Sequence, residues 1–233
     1  MNILAFESSA KAASVALCDG GGFLLAQSYQ NTGLTHSATL MKMAEDLLKN
    51  INTQIADLSL IAVAAGPGSF TGVRIGVSAA IGLAWGADLD ICGVSTLEAM
   101  AYHVSEENVL VCPVMDARRN QVYNGLFMRE KGGITRLCED RALSIEELME
   151  DVASRRLPCV LVGDGARLCY DAFTKASVPC SLAHPMLQFQ SAWGVAQAAL
   201  NGRRISPLEL QPSYLRLSQA ERERLSRSGA ESN

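Results

Sequence analysis

From Gly72 to Trp85 only Arg74 and Ser78 are polar. Residues 60–64 read as a strand and residues 71–85 as a helix. The segment Gly66-Pro67-Gly68-Ser69-Phe70-Thr71-Gly72-Val73-Arg74-Ile75-Gly76 is therefore the turn between them and the opening of the helix. A helix that is apolar all round has to be covered on more than one side. Val73, Val77, Ala80, Ile81 and Ala84 make one face, suited to a sheet. Gly72, Gly76, Ala79 and Leu83 make another, small and flat enough for a second helix to come close. That second helix belongs either to the same domain or to a partner. A chain of 233 residues has little left to supply it, which favours a partner surface. The turn also has two readings. Backbone N–H groups at a helix N-terminus can hold an anion, or the glycines serve only a tight, closely packed turn. Val73-Arg74 stands where a Walker A loop requires Lys-Ser/Thr, and the segment is not GxGxxG.

The rest of the chain supplies the sheet for that helix. Residues 3–6, 14–18 and 23–27 are strand-length and separated by short turns, which predicts an antiparallel meander. A helix follows over 37–49, with Leu40, Ala44, Leu47 and Ile51 on one face and Met41 and Leu48 beside it. A further strand spans 91–94. The order then echoes itself. A strand over 109–115 ends in Asp116 as 3–6 ends in Glu7, and strands over 121–127 and about 134–137 complete a second meander. Ser144 is suited to cap a helix reaching about residue 154, with Glu146 and Glu147 in its first turn. A strand over 159–162 leads into Gly163-Asp164-Gly165, and 190–200 is helical. The expected organisation is a first half over 1–104, a divergent second copy over 105–217, and a charged, disordered tail over 218–233. An α/β order of this kind, repeated twice, resembles the duplicated ribonuclease H-like core of the actin, Hsp70 and sugar kinase superfamily.

Composition narrows the function. A formal net charge of −4 and a pI near 5.4 argue against a chain that grips RNA tightly on its own. The seven cysteines are scattered singly with no CxxC pair, which fits reduced, buried thiols and argues against a zinc site. The N-terminus lacks a signal-peptide pattern and no run of about 18 apolar residues occurs, so the expectation is a cytoplasmic protein without a membrane span. His36, His103 and His184 are isolated in sequence and read as surface or capping residues rather than metal ligands. Glu7 reads as a solvated or capping carboxylate; contact with a metal-bound water is the alternative.

The glycine-rich segment, Asp116-Ala117-Arg118 before Val122-Tyr123, Gly163-Asp164-Gly165, Pro212-Ser213-Tyr214-Leu215-Arg216 and His36 opening the first helix are similar to the pattern of the TsaB (YeaZ) family. The matches run in order from about residue 3 to 216. The resemblance implies an actin-like fold, a homodimer when alone, and a heterodimer with the paralogue TsaD that the ATPase TsaE joins. It implies a non-catalytic subunit that activates TsaD in threonylcarbamoyl transfer to the tRNA adenosine next to the anticodon. No cofactor is implied, and tRNA is reached only through the complex. The partner surface is then expected at His36, Leu40, Met41, Met43, Gly72, Gly76, Ala79 and Leu83, the methionines being able to repack against more than one partner. A nucleotide or anion contact at the subunit junction is expected at Gly66, Gly68, Ser69, Arg74 and Arg118.

Two departures bear on catalysis. TsaD reads His-Leu-Glu-Gly-His, with metal-binding histidines, where this chain has Thr96-Leu97-Glu98-Ala99-Met100. Actin-like ATPases place Asp-x-Gly-Thr/Ser in the first phosphate loop, and TsaB usually has Asp-Thr-Ser; this chain has Glu7-Ser8-Ser9-Ala10-Lys11, without glycine. An active actin-like ATPase or kinase is the alternative. A metallopeptidase would need clustered ligands such as HExxH, which the sequence lacks.

Overall fold

The computed structural model describes residues 1–216; the expected tail over 218–233 lies outside the described residues. Strands β1 (Asn2–Glu7), β2 (Ala13–Asp19) and β3 (Leu24–Gln30) form the meander. Helix α1 (His36–Asn50), strand β4 (Leu60–Gly66), helix α2 (Phe70–Gly86), strand β5 (Ile91–Ser95) and short helix α3 (Thr96–Ala101) follow. The sheet order is β3-β2-β1-β4-β5, antiparallel through the meander and parallel from β1 to β5. All seven residues of β4 are buried because the sheet is covered on both faces. Leu4, Phe6, Ile61 and Val63 pack under α1 and α2, while Ile3, Ala5, Leu60 and Ala62 pack on the opposite side.

The second half repeats this plan. It comprises β6 (Val109–Asp116), β7 (Gln121–Asn124), β8 (Phe127–Glu130), β9 (Gly133–Arg136), β10 (Arg141–Ser144), α4 (Ile145–Arg155), β11 (Cys159–Val162), α5 (Ala166–Lys175), β12 (Cys180–Leu182) and α6 (Ala192–Ala199). Its central order β10-β7-β6-β11-β12 matches that of the first sheet. Ser144 caps α4 as the sequence predicts, in a reciprocal capping box with Glu147. The meander differs: the single strand expected over 121–127 is two. β7 pairs with residues 114–116 of β6 and β8 with residues 109–111, leaving the join at Cys112-Pro113. Proline has no N–H to donate to a ladder. Buried Asn124 turns its amide there instead, donating to the Pro113 carbonyl at 2.9 Å.

Helices α3 and α6 cross between the halves. Leu97, Met100 and Ala101 of α3 pack with Val111, Phe127 and Val160 of the second sheet, while Ala192, Val195 and Ala196 of α6 pack with Ile3, Ala16 and Ala62 of the first. No helix among the described residues is long and apolar enough to cross a membrane.

The two faces expected on α2 are corrected. Gly72 and Gly76 are buried together with Val73, Val77, Ala80 and Ala84, on the side facing the sheet. A Cβ at Gly72 would run into the Ser8 carbonyl, and one at Gly76 into the Ser8 hydroxyl. The free arc runs through Thr71, Arg74, Ser78, Gly82 and Trp85, with Ala79 and Leu83 half-buried at its border. Apolarity and small size do not by themselves point a residue outward. The glycines are small because the chain's own β1–β2 loop occupies their space. Leu40 of α1 is likewise a core residue, 1% exposed.

Candidate functional site

Two concave surfaces lie at the ends of these elements. The first is a cleft of about 610 Å³ between the halves, lined by the β1–β2 loop, the start of α2, the end of β6, Asp164 and residues 213–216. The β1–β2 loop is pinned onto α2: Ser69 N–H donates to the Ser9 carbonyl at 2.6 Å and Ser8 Oγ donates to the Gly72 carbonyl at 2.9 Å. Ser69 Oγ accepts the Gly72 N–H at 3.3 Å. The N–H groups of Ser69 and Gly72 are thus used within the chain. Opposite, Asp116 accepts the Arg118 N–H at 2.7 Å, and Arg216 donates to the Ala117 carbonyl at 2.9 Å, strapping the C-terminal segment over the second half.

Of the two expected readings of Glu7, the solvated one is corrected, while its bond to the Ser9 N–H is of the capping kind. The side chain is fully buried, with Oε1 accepting the Ser9 N–H at 2.6 Å and Oε2 unpartnered among the described residues. Burial penalises the ionised form and pushes its pKa up to about 7; Asp164 across the cleft adds to the rise. Asp164 is itself raised, chiefly by burial and further by Asp116, while Gln190 donates to it at 3.0 Å. Asp116 and Asp164 thus face the cleft with Glu7 buried behind it, and none of the three carboxyl groups forms a salt bridge among the described residues. His103 also departs from expectation. It is buried, with Nδ1 3.1 Å from the Leu187 carbonyl and Nε2 3.0 Å from Ser191 Oγ, and burial lowers its pKa to about 4. His184 caps the short turn at Pro185–Leu187, as expected of a capping residue.

The residues expected at an anion site are only partly brought together. Gly68, Ser69 and Arg118 line the cleft. Gly66 does not: it lies beneath the Ser213 carbonyl. Arg74 turns away, donating through Nε to the Tyr214 hydroxyl at 2.9 Å with its guanidinium 3.8 Å from the Phe70 ring centroid. Sequence reasoning left Lys11, Tyr123 and Asp164 out of this set, although all three line the same cleft. The signal for Asp164 was present in Gly163-Asp164-Gly165 following a strand.

The second surface is a shallow hollow of about 350 Å³ between α1 and α2, lined by His36, Ser37, Leu40, Met41, Arg74, Ile75, Ser78 and Ala79. Leu40 forms its floor, Met41 is 44% exposed, and His36 Nε2 lies 2.7 Å from the Ala10 carbonyl. Of the expected partner set, His36, Leu40, Met41 and Ala79 line the hollow; Met43 and Leu83 are partly buried against the core instead of lining it, and Gly72 and Gly76 face the sheet. Thr96 and Met100 are fully buried, and Met100 packs among Leu97, Val111 and Val162. Among the described residues no group of three or more His, Cys, Asp or Glu is placed to hold a metal ion.

Two sheets of one topology, facing across a cleft with Glu7 and Asp116 at equivalent strand ends, define an actin-like protein of the ribonuclease H-like superfamily. A family model described as "TsaD: tRNA N6-adenosine threonylcarbamoyltransferase" matches residues 30–201. The tRNA threonylcarbamoyladenosine biosynthesis protein TsaB of Bacillus subtilis (strain 168) is 34% identical over 168 residues, covering 72% of this chain and 73% of that protein. Its namesake in Haemophilus influenzae is 32% identical, covering 93% of this chain and 94% of that one. A crystal structure of a Pseudomonas aeruginosa protein described as similar to peptidase YEAZ superimposes with a TM-score of 0.78 at 25% identity, over 92% of this chain and 99% of that one. The chain belongs to the TsaB family of tRNA threonylcarbamoyladenosine biosynthesis proteins.

Proposed function

We propose that the chain acts in the cytoplasm as a non-catalytic subunit of threonylcarbamoyladenosine synthesis. It binds and activates TsaD, is joined by TsaE, and contacts tRNA only through that assembly. The α1–α2 hollow is the surface for TsaD, and for a second copy when TsaD is absent. The observation that carries this reading is the fate of the two positions at which TsaD has metal-binding histidines. Thr96 and Met100 are sealed in the core between the halves, and a hydroxyl and a thioether are poor replacements for imidazole at a divalent metal. The hollow supports the partner half of the reading: it is concave, mostly apolar, and carries adaptable Met41 at its rim.

Reconstitution with TsaD and TsaE tests it. Omitting the chain should abolish threonylcarbamoylation of tRNA, read by mass spectrometry of nucleosides, and the chain without TsaD should give none. Modification by this chain alone would overturn the reading. An actin-like ATPase would draw on the carboxyl-lined cleft. Turnover of ATP by the isolated chain at an enzymatic rate would favour it.

A further inference from the structure

Four arginines of this chain are tied down by its own carboxylates. Arg136 holds Glu98 and Asp140, Arg141 and Arg155 share Asp151, and Arg167 pairs with Asp171. Arg74 is held differently. Its guanidinium lies 3.8 Å from the Phe70 ring centroid and 5.7 Å from that of Tyr214, and its Nε donates to the Tyr214 hydroxyl at 2.9 Å. The two rings touch, with centroids 4.8 Å apart. Tyr214 is delivered to α2 by a segment fixed on both sides: Ser213 N–H donates to the Ala65 carbonyl at 2.7 Å, and Arg216 to the Ala117 carbonyl at 2.9 Å.

These partners are neutral, so they fix the geometry of Arg74 without cancelling its charge. Its two Nη groups, the fork that matches a carboxylate, make no hydrogen bond among the described residues. Arg74 is exposed at the rim of the α1–α2 hollow. No Asp or Glu lines that hollow, and α2 carries none over its seventeen residues. The carboxylates of α1, Glu45 and Asp46, are paired with Lys42.

We infer that Arg74 is the charged anchor of the TsaD surface, held by Phe70 and Tyr214 in the pose that receives a side-chain carboxylate of TsaD. The inference rests on the hollow being that surface. A brace for the C-terminal segment would need only Nε and the rings; the open Nη fork is left over for a partner. The setting favours a carboxylate carried on a protein over a free anion, because Leu40, Met41, Ile75 and Ala79 surround the rim with apolar surface that only a side chain arriving on a packed face can use. Arg74 then sets specificity as well as affinity. In the free chain its charge is solvated, but docking buries it, so a partner face without the carboxylate would leave it unpaired and be rejected. Tyr214 is the positioning residue, since its hydroxyl and ring restrict the arginine before the partner arrives.

Calorimetric titration of the full chain with TsaD at low and high KCl tests it. Arg74→Gln should weaken binding at least ~30-fold at low salt, and Arg74→Glu at least ~10-fold further, because it sets like charges face to face. Arg74→Lys should fall between the parent and Arg74→Gln, keeping the charge without the fork. Tyr214→Phe should cost ~3–10-fold and keep the salt dependence of the parent. Binding of the parent should weaken as KCl rises, while Arg74→Gln loses most of that dependence. Arg74→Gln and Arg74→Glu should melt at the same temperature, so that the gap between them reports the partner's charge and not the fold. Equal binding by those two variants, or an Arg74→Gln variant as salt-sensitive as the parent, would overturn the inference and leave Arg74 a brace. Binding blocked by Ala79→Arg but untouched by Arg74→Gln would overturn the anchor alone and leave the hollow as the TsaD surface. Binding untouched by Ala79→Arg would remove the hollow itself, and the anchor with it.

Discussion

The backbone N–H of Ser69 donates to the carbonyl of Ser9 at 2.6 Å, joining the first turn of α2 to the loop after β1. These residues are far apart in sequence, and their contact explains the glycines between them in space. Gly68 and Gly72 lie directly against Ser9 and Ser8, where a side chain would displace the loop.

Gly72→Ala should therefore destabilise the fold by about 1–3 kcal/mol, the usual cost of overpacking, lowering Tm by about 2–4 °C per kcal/mol for a chain of this size. Gly82→Ala on the same helix should act oppositely. Nothing among the described residues lies within 4 Å of the added Cβ, and Gly82 is exposed. Removing a flexible residue from a helix interior should stabilise by about 0.5–1 kcal/mol. Thermal melts of the two variants read both signs; equal effects would mean that the loop yields freely.

Stability should depend on pH through two buried groups of opposite sense. Glu7 titrates near 7 in the fold against 4.5 unfolded, so the folded state holds the extra proton. Its burial costs nothing below 4.5, and the penalty grows as pH rises to 7, reaching roughly 3 kcal/mol above it. His103 titrates near 4 in the fold against 6.5 unfolded, so its contribution is complete above 6.5 and is lost as pH falls towards 4. Glu7→Gln should remove the loss centred near pH 7 and be more stable than the parent at pH 8, while the His103 limb and the burial of Asp164, of the same sense as Glu7, remain. Urea unfolding across pH 4–8 measures this. A parent and variant falling in parallel above pH 6 would show that Glu7 is not the group responsible.

At the α1–α2 hollow, Ala79→Arg should weaken TsaD binding by at least ~30-fold, the scale of a lost interface anchor. The fold should survive because Ala79 is half-buried at the border of the free arc. Gly76→Arg should instead unfold the chain, since Gly76 faces Ser8 and Val63. Calorimetric titration with TsaD, with circular dichroism as the control, separates the two. Unimpaired binding by Ala79→Arg would place the TsaD surface elsewhere.

Arg136 donates to Glu98 at 2.8 Å and Asp140 at 2.6 Å while its guanidinium lies 4.7 Å from the Phe127 ring centroid. It ties α3 to the edge of the second sheet. Arg136→Ala should cost about 2–3 kcal/mol, because it leaves two partly buried carboxylates without their cation. Arg136→Met should recover part of this through packing on Phe127. Denaturant midpoints measure the difference, and identical losses in both variants would mean that packing contributes nothing.

Much of this protein follows from local pattern. Apolar runs bounded by turns located β1, β2, β4, β5, β6 and β11, and the 3.6-residue period located α1 and α2 to within a residue or two. Ser144 announced α4, and the echo of Glu7 by Asp116 announced the duplication. These signals are local, since each depends on a few neighbouring residues. What only the tertiary structure decided depends on residues distant in sequence. Pro113 broke β7 from β8 because it lies opposite them across a ladder. Gly72, Gly76 and Leu40 turned inward because the β1–β2 loop and the sheet fill the space before them. Glu7 lost its solvent, and its pKa rose to about 7, because the folded chain buries it completely. A side chain's size and polarity are written in the sequence, but whether it meets solvent, a partner or its own chain depends on which distant backbone arrives beside it.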